Sequence, residues 1–361
     1  MVYALYFILL TFGGIIARKR TESNVYLLVI MTLLLAIIGL RDASVGVDTV
    51  SYIEDYGNIA RLSFSEMLDL AFKTSEPLYV IVSWIPSILS LNYTAYLILW
   101  ALFPVISLYK VFKRELQDGS DYFIAIIVFF LLGLFAFYIA GIRQTAALSV
   151  ILLGSKFLTN ISLRGFRSLF FDKNIYLFLL TIGIAFLIHN SSIIFILAIP
   201  CLLFKVRWWY VLLVVCVFFI GQVIHIDQIV ILSNFLFDDR FANYGTTYES
   251  SQSVSALIMQ VILFLICFCV KSKLIKQNAQ NNILFNLMLL GIVFQSLSGM
   301  MAEMARVSFF FAMFAMILVP RSLKHYPTNF RKIVYIGFVA FSLFYLFYLS
   351  GSNLPPYNSV L

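Results

Sequence analysis

Long apolar runs separated by short polar connections fill almost the whole chain. Each run approaches the roughly 20 apolar residues that an α-helix needs to cross a membrane core of about 30 Å. This pattern predicts an all-α polytopic membrane protein, a single transmembrane domain over 1–361 with about twelve transmembrane helices. The candidate spans are 2–17, 24–40, 93–109, 122–140, 142–159, 174–188, 190–204, 208–226, 254–270, 283–299, 304–320 and 333–350.

Three stretches depart from this pattern. The run 77–90 is shorter and contains Pro86, which lacks a backbone donor, so it predicts a re-entrant helix that dips into the membrane. Polar residues interrupt the apolar pattern at 41–76 and at 227–253, which predicts two outer loops. No stretch leaves room for a separate soluble catalytic domain, so any chemistry belongs to the membrane helices or their connections.

The composition agrees with membrane insertion, because 62% of the residues are hydrophobic and only 12% are charged, against about 25% charged in soluble domains. The four cysteines lie in apolar runs without metal-binding spacing, which indicates packing residues. The sequence lacks a glycine-rich phosphate loop, a His-Glu-x-x-His zinc motif and a Gly-x-Ser-x-Gly elbow. Nucleotide-driven pumping, zinc proteolysis and serine hydrolysis are therefore disfavoured.

The charges predict which side of the membrane each connection faces. The basic cluster 18–20 follows the first apolar run instead of preceding it, which indicates a first spanning helix and not a secretory signal. If the chain starts outside, inner connections hold most of the 25 lysines and arginines and outer ones most of the 17 acids. Both termini are then outside. The net charge of +8 is a topology signal and not a sign of nucleic-acid binding.

Arg143 lies between two apolar helices on the cation-poor outer side, as part of a long run with little other charge. An arginine near the membrane interior costs roughly 2.5 to 3.5 kcal/mol on insertion scales, so its retention indicates a role. With Gln144 it begins a helix whose N-terminal amides attract anions. An ion pair that holds two helices together is the alternative.

His189 and Ser192 separate two apolar halves within 174–204. Each half is about 22 Å long as an α-helix and cannot cross a core of about 30 Å, which predicts a hairpin tip below the outer surface. A hydrogen-bonded packing histidine is the alternative. Glu303 and Arg306, spaced i, i+3, either form a plain ion pair or aim Arg306 at a phosphate.

Four arginines on the outer side, two of them in or beside loops, indicate a site for a doubly charged anion at the membrane boundary, such as a lipid diphosphate. They are Arg41, Arg143, Arg240 and Arg306. The outer residues 42–48 lack a close acidic pair, so a metal-bridged diphosphate has little support.

At these positions the chain resembles the EpsG-like branch of the Wzy-type bacterial O-antigen and exopolysaccharide polymerases. The resemblance begins with an Arg-x-x-x-Val-Gly-x-Asp-Thr-x-x-Tyr segment and continues through a Gly-Ile-Arg-Gln helix start to a late arginine and a Pro-Pro-Tyr tail. Phe241 is a mild departure, because the family often has tyrosine there. The matching residues are Arg41, Val45, Gly46, Asp48, Thr49, Tyr52, Gly141, Ile142, Arg143, Gln144, Ala147, His189, Ser191, Ser192, Arg240, Tyr244, Arg306, Pro355, Pro356 and Tyr357.

The resemblance implies a plan similar to the GT-C glycosyltransferases and an enzyme of the bacterial cytoplasmic (inner) membrane with its active site on the periplasmic side. The growing glycan would pass from undecaprenyl diphosphate to the non-reducing end of an incoming lipid-linked repeat unit, without metal or cofactor. A flippase and a chain-length regulator would be its protein partners. The expected catalytic residues are Arg143, Arg306, His189 and Asp48, and the expected substrate-binding residues are Arg41, Tyr52, Gln144, Ser192, Arg240, Tyr244 and Glu303.

Two points stay open. The general base that takes the acceptor proton is Asp48, Glu303 or His189. A transporter or flippase of lipid-linked sugars is the main rival function, and a membrane O-acetyltransferase acting on the polysaccharide is the second.

Overall fold

A computed structural model describes residues 2–17, 19–161, 171–223, 254–299 and 303–344. Within these ranges the chain forms helices and turns and no β-strand. Short 3-10 helices occupy Asn190–Ala198, Pro200–Leu202 and Leu297–Gly299. The α-helices are α1 (Val2–Ile16), α2 (Arg20–Gly39), α3 (Thr49–Ile59), α4 (Phe64–Lys73), α5 (Pro77–Ile88), α6 (Tyr93–Glu115), α7 (Gly119–Leu131), α8 (Leu134–Ala140), α9 (Ile142–Thr159), α10 (Lys173–Ile188), α11 (Tyr210–Val223), α12 (Val254–Phe268), α13 (Lys271–Gln277), α14 (Asn281–Ser296), α15 (Glu303–Ala312), α16 (Ala315–Leu323) and α17 (Thr328–Phe344).

The first predicted outer loop is itself helical. A capping box begins α4, in which the backbone N–H of Glu66 donates to Ser63 Oγ and the backbone N–H of Ser63 donates to Glu66 Oε2. Pro77 begins α5, a position where its missing N–H leaves no helical bond unmade. The 12 residues of α5 extend about 18 Å, well short of a membrane core. The second predicted outer loop, 227–253, lies outside the described residues.

Several predicted spans are broken helices. Among the described residues, α2 and α6 are each long and apolar enough to cross a membrane, and the number rises to five if each bent pair counts once. The helices α7 and α8 meet at 66° around Gly133, whose φ of +74° suits glycine. The segments α12 with α13 and α15 with α16 bend similarly, by 65° and 46°. The total of about twelve crossings stays a prediction.

The second half of the predicted hairpin at 174–204 winds as a 3-10 helix and not as an α-helix. A 3-10 helix rises about 2.0 Å per residue instead of 1.5 Å. This half therefore covers more depth per residue than the prediction assumed.

Helix α9 lies at the centre of the molecule and packs against both α6 and α10. Two thirds of its 18 residues are buried, including Gln144, Thr145 and Ser149. Contact with α10 depends on Gly154, because a Cβ there would lie only 2.1 Å from Thr181 Cγ2. The close approach fixes the position of Arg143 on α9 relative to His189, which follows α10.

Substitution Gly154→Leu should force α9 and α10 apart. Overpacking of this kind costs about 1 to 3 kcal/mol or more, since the obstructing Thr181 atoms belong to a short, branched side chain. We expect a clear fall in the yield of monodisperse protein and in its melting temperature. Gly183→Leu on α10 is the matched control, because nothing lies within 4 Å of a Cβ at that position. Equal behaviour of the two variants would contradict the close packing described for Gly154.

Ion pairs fasten the end of the molecule where α6 and α7 meet. Arg321 on α16 pairs with Glu115 and also donates to Asn281 Oδ1 over 2.8 Å. Lys324 Nζ lies 2.6 Å from Asp121 Oδ2 and 3.6 Å from Asp118 Oδ2. These contacts hold α16 against α6 and α7 at the end predicted to face the cytoplasm.

Candidate active site

The carboxylate of Glu76 joins three segments that are far apart in the sequence. Its Oε2 accepts a hydrogen bond of 2.9 Å from Arg143 Nη1, within an ion pair. Its Oε1 lies 2.7 Å from His189 Nδ1 and accepts a weaker bond of 3.3 Å from the backbone N–H of Asn190. Glu76 is only 8% exposed. The start of α5, the start of α9 and the end of α10 therefore converge on one buried acid.

Local sequence explains why these three side chains protrude at helix ends. Glu76 is the N-cap residue of α5 and directly precedes Pro77, the first residue of that helix. Gly141 separates α8 from α9, which places Arg143 in the first turn of α9. His189 caps the end of α10 in an extended conformation, with φ of −154° and ψ of 118°.

Glu76 is ionised at neutral pH. Burial raises the pKa of its carboxyl, but the hydrogen bond from His189, the electrostatic attraction of His189 and Arg143 and the hydrogen bond from the Asn190 N–H outweigh burial, so the pKa falls below its ordinary 4.5. An ionised carboxylate accepts hydrogen bonds only. His189 therefore carries its proton on Nδ1 toward Glu76, which leaves Nε2 as the ring nitrogen that can accept a proton.

The lowered pKa of Glu76 predicts a pH-dependent contribution to stability. Its ion pairing stabilises the fold fully above about pH 4.5, the ordinary value, and is lost as the pH falls through the lower folded-state pKa. Glu76→Gln should lower the stability at pH 7 by about 2 kcal/mol, typical of hydrogen bonds to charged groups. The difference between the melting temperatures of the two proteins should be largest at pH 7 and should narrow as the pH falls below the ordinary value of 4.5 toward 3.5. A gap that stays constant over this range would contradict the assignment.

Tyrosines surround the guanidinium of Arg143. Its Cζ lies 5.1 Å from the ring centroid of Tyr79 and 5.7 Å from that of Tyr52, distances that allow cation–π attraction. The hydroxyl of Tyr79 lies 3.1 Å from that of Tyr96 and donates to Asp55 Oδ2 over 3.4 Å. Arg143 keeps 38% of its side chain exposed. The ion pair and the rings thus hold Arg143 in place while part of it stays open to a ligand.

Tyr52 lies near three of the predicted charged residues, Arg143, Arg306 and Asp48. Burial raises the pKa of its hydroxyl, and the positive charges of Arg143 and Arg306 oppose this, whereas Asp48 adds to it. Arg306 and Asp48 therefore act on the same small region as Arg143. Arg306 is exposed on α15, and among the described residues no ion pair links it to Glu303. The plain ion pair, one of the two predicted alternatives, is therefore not formed here, and contact of Arg306 with a phosphate stays a prediction.

Gln144 and Arg41 form hydrogen bonds that hold the segments around the site together. The buried Gln144 donates from Nε2 to the backbone carbonyl of Arg306 over 3.1 Å, which ties α9 to α15. Arg41 is 1% exposed; it donates from Nε to Thr49 Oγ1 over 3.2 Å and from Nη1 to the carbonyl of Ile38. Through Thr49 it holds the turn that precedes α3 and carries Asp48. Its predicted contact with substrate stays a prediction.

The remaining predicted residues divide into two groups. Ser192 lies in the 3-10 helix after His189 and is fully buried, and its Oγ has no hydrogen bond within the described part of the chain. Arg240 and Tyr244 lie outside the described residues. In the described ranges no cluster of three or more His, Cys, Asp or Glu side chains is arranged to hold a metal ion.

A model of the EpsG family matches residues 24–359, nearly the whole chain. This chain belongs to the EpsG family. Neither a curated protein nor a solved structure matches it. The EpsG family is a Wzy-like polysaccharide polymerase family, which confirms the resemblance found in the sequence and makes lipid-linked oligosaccharides the substrate class.

In this EpsG protein the sequence interpretation missed Glu76, the residue that organises the site. It was one of several acids in an outer loop, and nothing in that loop singled it out. One signal was available: Arg143 and His189 are polar side chains in apolar surroundings, and buried charges require a partner. Glu76 is the acid that directly precedes the predicted re-entrant run.

Proposed function

We propose that this EpsG protein polymerises a surface polysaccharide at the outer face of the bacterial cytoplasmic membrane. It transfers the growing glycan from undecaprenyl diphosphate to a hydroxyl at the non-reducing end of an incoming lipid-linked repeat unit. The observation that carries the proposal is the single carboxylate of Glu76, which holds an arginine and a histidine side by side. The two groups fit the two tasks of this reaction, stabilising a leaving diphosphate and removing a proton.

The proposed reaction exchanges one bond at the anomeric carbon of the donor glycan for another. The acceptor hydroxyl gives its proton to Nε2 of His189 while its oxygen forms a bond to the anomeric carbon of the donor glycan. The bond from that carbon to the diphosphate oxygen breaks, and undecaprenyl diphosphate leaves with the electron pair. One glycosidic bond replaces one glycosyl phosphate bond, and no oxidant, reductant or cofactor is consumed.

Charge changes in the site match the charge that develops on the leaving group. In the proposed starting state, Glu76 offsets the charge of Arg143, and His189 donates from Nδ1 to Glu76 and has no proton on Nε2. Proton uptake by His189 adds one positive charge beside the diphosphate as the bond breaks. Arg143 offers the open part of its guanidinium, and Arg306 supplies a second arginine near Tyr52. Positive groups preorganised for the departing anion lower the barrier more than they strengthen substrate binding.

His189 is our choice among the three candidate bases, because Glu76 fixes its ring orientation and its tautomer. Asp48 and Glu303 are both half-buried. We assign Asp48 and Tyr52 to the binding of sugar hydroxyls near the scissile bond. The GT-C-like plan, the metal-independent reaction and the periplasmic orientation of the site belong to the same proposal.

The test is the size distribution of surface polysaccharide in the source bacterium with and without this gene. We expect the deletion to leave single repeat units on the lipid carrier in place of long chains, and complementation to restore the chains. Unchanged chain length with lost acetylation would favour an O-acetyltransferase. Accumulation of repeat units on the cytoplasmic side only would favour a flippase.

A further inference from the structure

A second site lies at the end of the molecule opposite Glu76. A cavity of about 420 Å³ opens between α1, α7 and α17. It lies beside the start of α7, whereas the chain reaches Gly141 and Arg143 only after α7 and α8. The proposed reaction uses none of its residues. Those relevant to binding are Ala17, Asp118, Ser120, Arg331, Lys332 and Tyr335.

The cavity has two cations whose charge is not neutralised nearby. Arg331 and Lys332 occupy the first turns of α17, are exposed and form no ion pair within the described ranges. Asp118 is the acid among the lining residues, and its carboxylate already has hydrogen-bond donors and a lysine as partners. It accepts from Ser120 Oγ over 2.7 Å and from the backbone N–H of Asp121 over 3.0 Å, and Lys324 lies 3.6 Å away. The cavity therefore favours an anion.

Tyr335 adds a hydrogen-bond donor to the same cavity. Its ring packs against Phe123, with centroids 4.7 Å apart, which holds it in place. Its hydroxyl oxygen is buried and has no hydrogen bond to any described residue. A buried hydroxyl without a partner is costly, so it indicates a ligand oxygen or an ordered water at this position.

Apolar surface continues from the cavity along the outside of the molecule. Ile333 and Ile336 on α17 are 66% and 67% exposed, as expected of side chains that face lipid. A second, mainly apolar groove of about 630 Å³ lies between α1 and α2, and Ala17 lines both spaces. Leu9, Phe12, Val25 and Val29 form its walls. An anion with an attached acyl chain would fit the two spaces together.

We propose that this cavity binds the phosphate headgroup of an anionic phospholipid, with an acyl chain in the groove between α1 and α2. Arg331 and Lys332 contact the phosphate and Tyr335 donates to one of its oxygens. The site lies at the end that the charge distribution assigns to the cytoplasmic leaflet, where juxtamembrane cations recognise anionic lipids. This binding is independent of the proposed polymerase reaction.

The experiment measures thermal stabilisation of the purified full-length protein by phosphatidylglycerol added to phosphatidylcholine micelles. The variant is Arg331→Gln with Lys332→Gln. The control is Lys273→Gln with Lys276→Gln, which removes the same charge from exposed positions on α13 at the same end. Each cation near an anionic lipid contributes to the binding free energy. The loss of both cations should therefore raise the lipid concentration that gives half-maximal stabilisation at least tenfold. The control should match the wild type, and glycerol phosphate without acyl chains should not stabilise either protein.

Two results would overturn the proposal. Equal lipid sensitivity of the wild type, the variant and the control would show that lipid charge acts on the whole surface. Stabilisation by glycerol phosphate at the same concentration as phosphatidylglycerol would show an anion site that does not need the lipid chain. Because the substituted residues are exposed, both double variants should fold, which their melting temperatures without lipid will check.

Discussion

Replacing Arg143 with alanine is expected to abolish polymer formation and leave single lipid-linked repeat units. The guanidinium lies beside the position proposed for the departing diphosphate, and Glu76, Tyr52 and Tyr79 hold it there. Loss of one preorganised group of this kind typically costs 10² to 10³-fold in rate, that is about 3 to 4 kcal/mol. Alanine also leaves the Glu76 carboxylate without its arginine, so binding of a diphosphate beside it becomes unfavourable. The measurement is the chain-length distribution at equal protein level.

Two further variants separate charge from geometry. Arg143→Lys keeps the positive charge but loses the planar fork, and we expect it to recover only a small part of the activity. Arg61→Ala removes one exposed arginine from the predicted outer loop and should leave chain length unchanged. Long chains from the Arg143→Ala protein at wild-type rates would contradict the role assigned to this residue.

Glu76→Gln and His189→Ala should each reduce polymerisation strongly, and their effects should not add. Removal of a general base typically costs 10² to 10⁴-fold. Glu76→Gln removes the negative charge that orients His189 and pairs with Arg143. We therefore expect Glu76→Gln to lower the polymerisation rate at least as much as His189→Ala does. In the double variant, adding His189→Ala to Glu76→Gln should lower the rate little further, because Glu76 acts on the reaction through His189. The rates of repeat-unit joining in a double-mutant cycle measure this coupling.

Glu54→Gln provides the control for the lost carboxylate, since Glu54 is exposed on the neighbouring α3. It should polymerise at the wild-type rate. Independent, multiplicative losses from Glu76→Gln and His189→Ala would show that Glu76 does not act through His189. Full activity of His189→Ala would move the general base to Asp48 or to Glu303.

The sequence predicts Arg143 and His189 because each is a costly polar side chain inside an apolar run. The cost of burying an unpaired charge also implies a counter-charge nearby. That counter-charge, Glu76, is 67 residues from Arg143 and 113 from His189 along the chain. Spacing along the chain carries no information about contacts that distant. Only the packing of α5 and α9 against α10 brings the three together. The family resemblance, in contrast, rested on local motifs and could be found without any contact.

Helix existence was more predictable than helix continuity. The apolar run 122–140 does form helix, but Gly133 adopts a positive φ and divides it into α7 and α8. Nothing in hydrophobicity distinguishes a straight helix from one bent by 66°. The first outer loop likewise contains α3 and α4, whose short amphipathic sequences look like solvated loop when judged by polarity alone. Arg41 was predicted for its charge, and the structure adds that it is buried and fixes the turn before α3.

The most direct test of the central claim uses the purified protein in liposomes with lipid-linked repeat units isolated from the deletion strain. We expect the wild-type protein to join repeat units in the presence of a metal chelator. One undecaprenyl diphosphate should be released for every glycosidic bond formed, and the Arg143→Ala protein should form neither product. Repeat units that cross the bilayer without being joined, or joining that continues unchanged in Arg143→Ala, would contradict the proposed polymerase reaction.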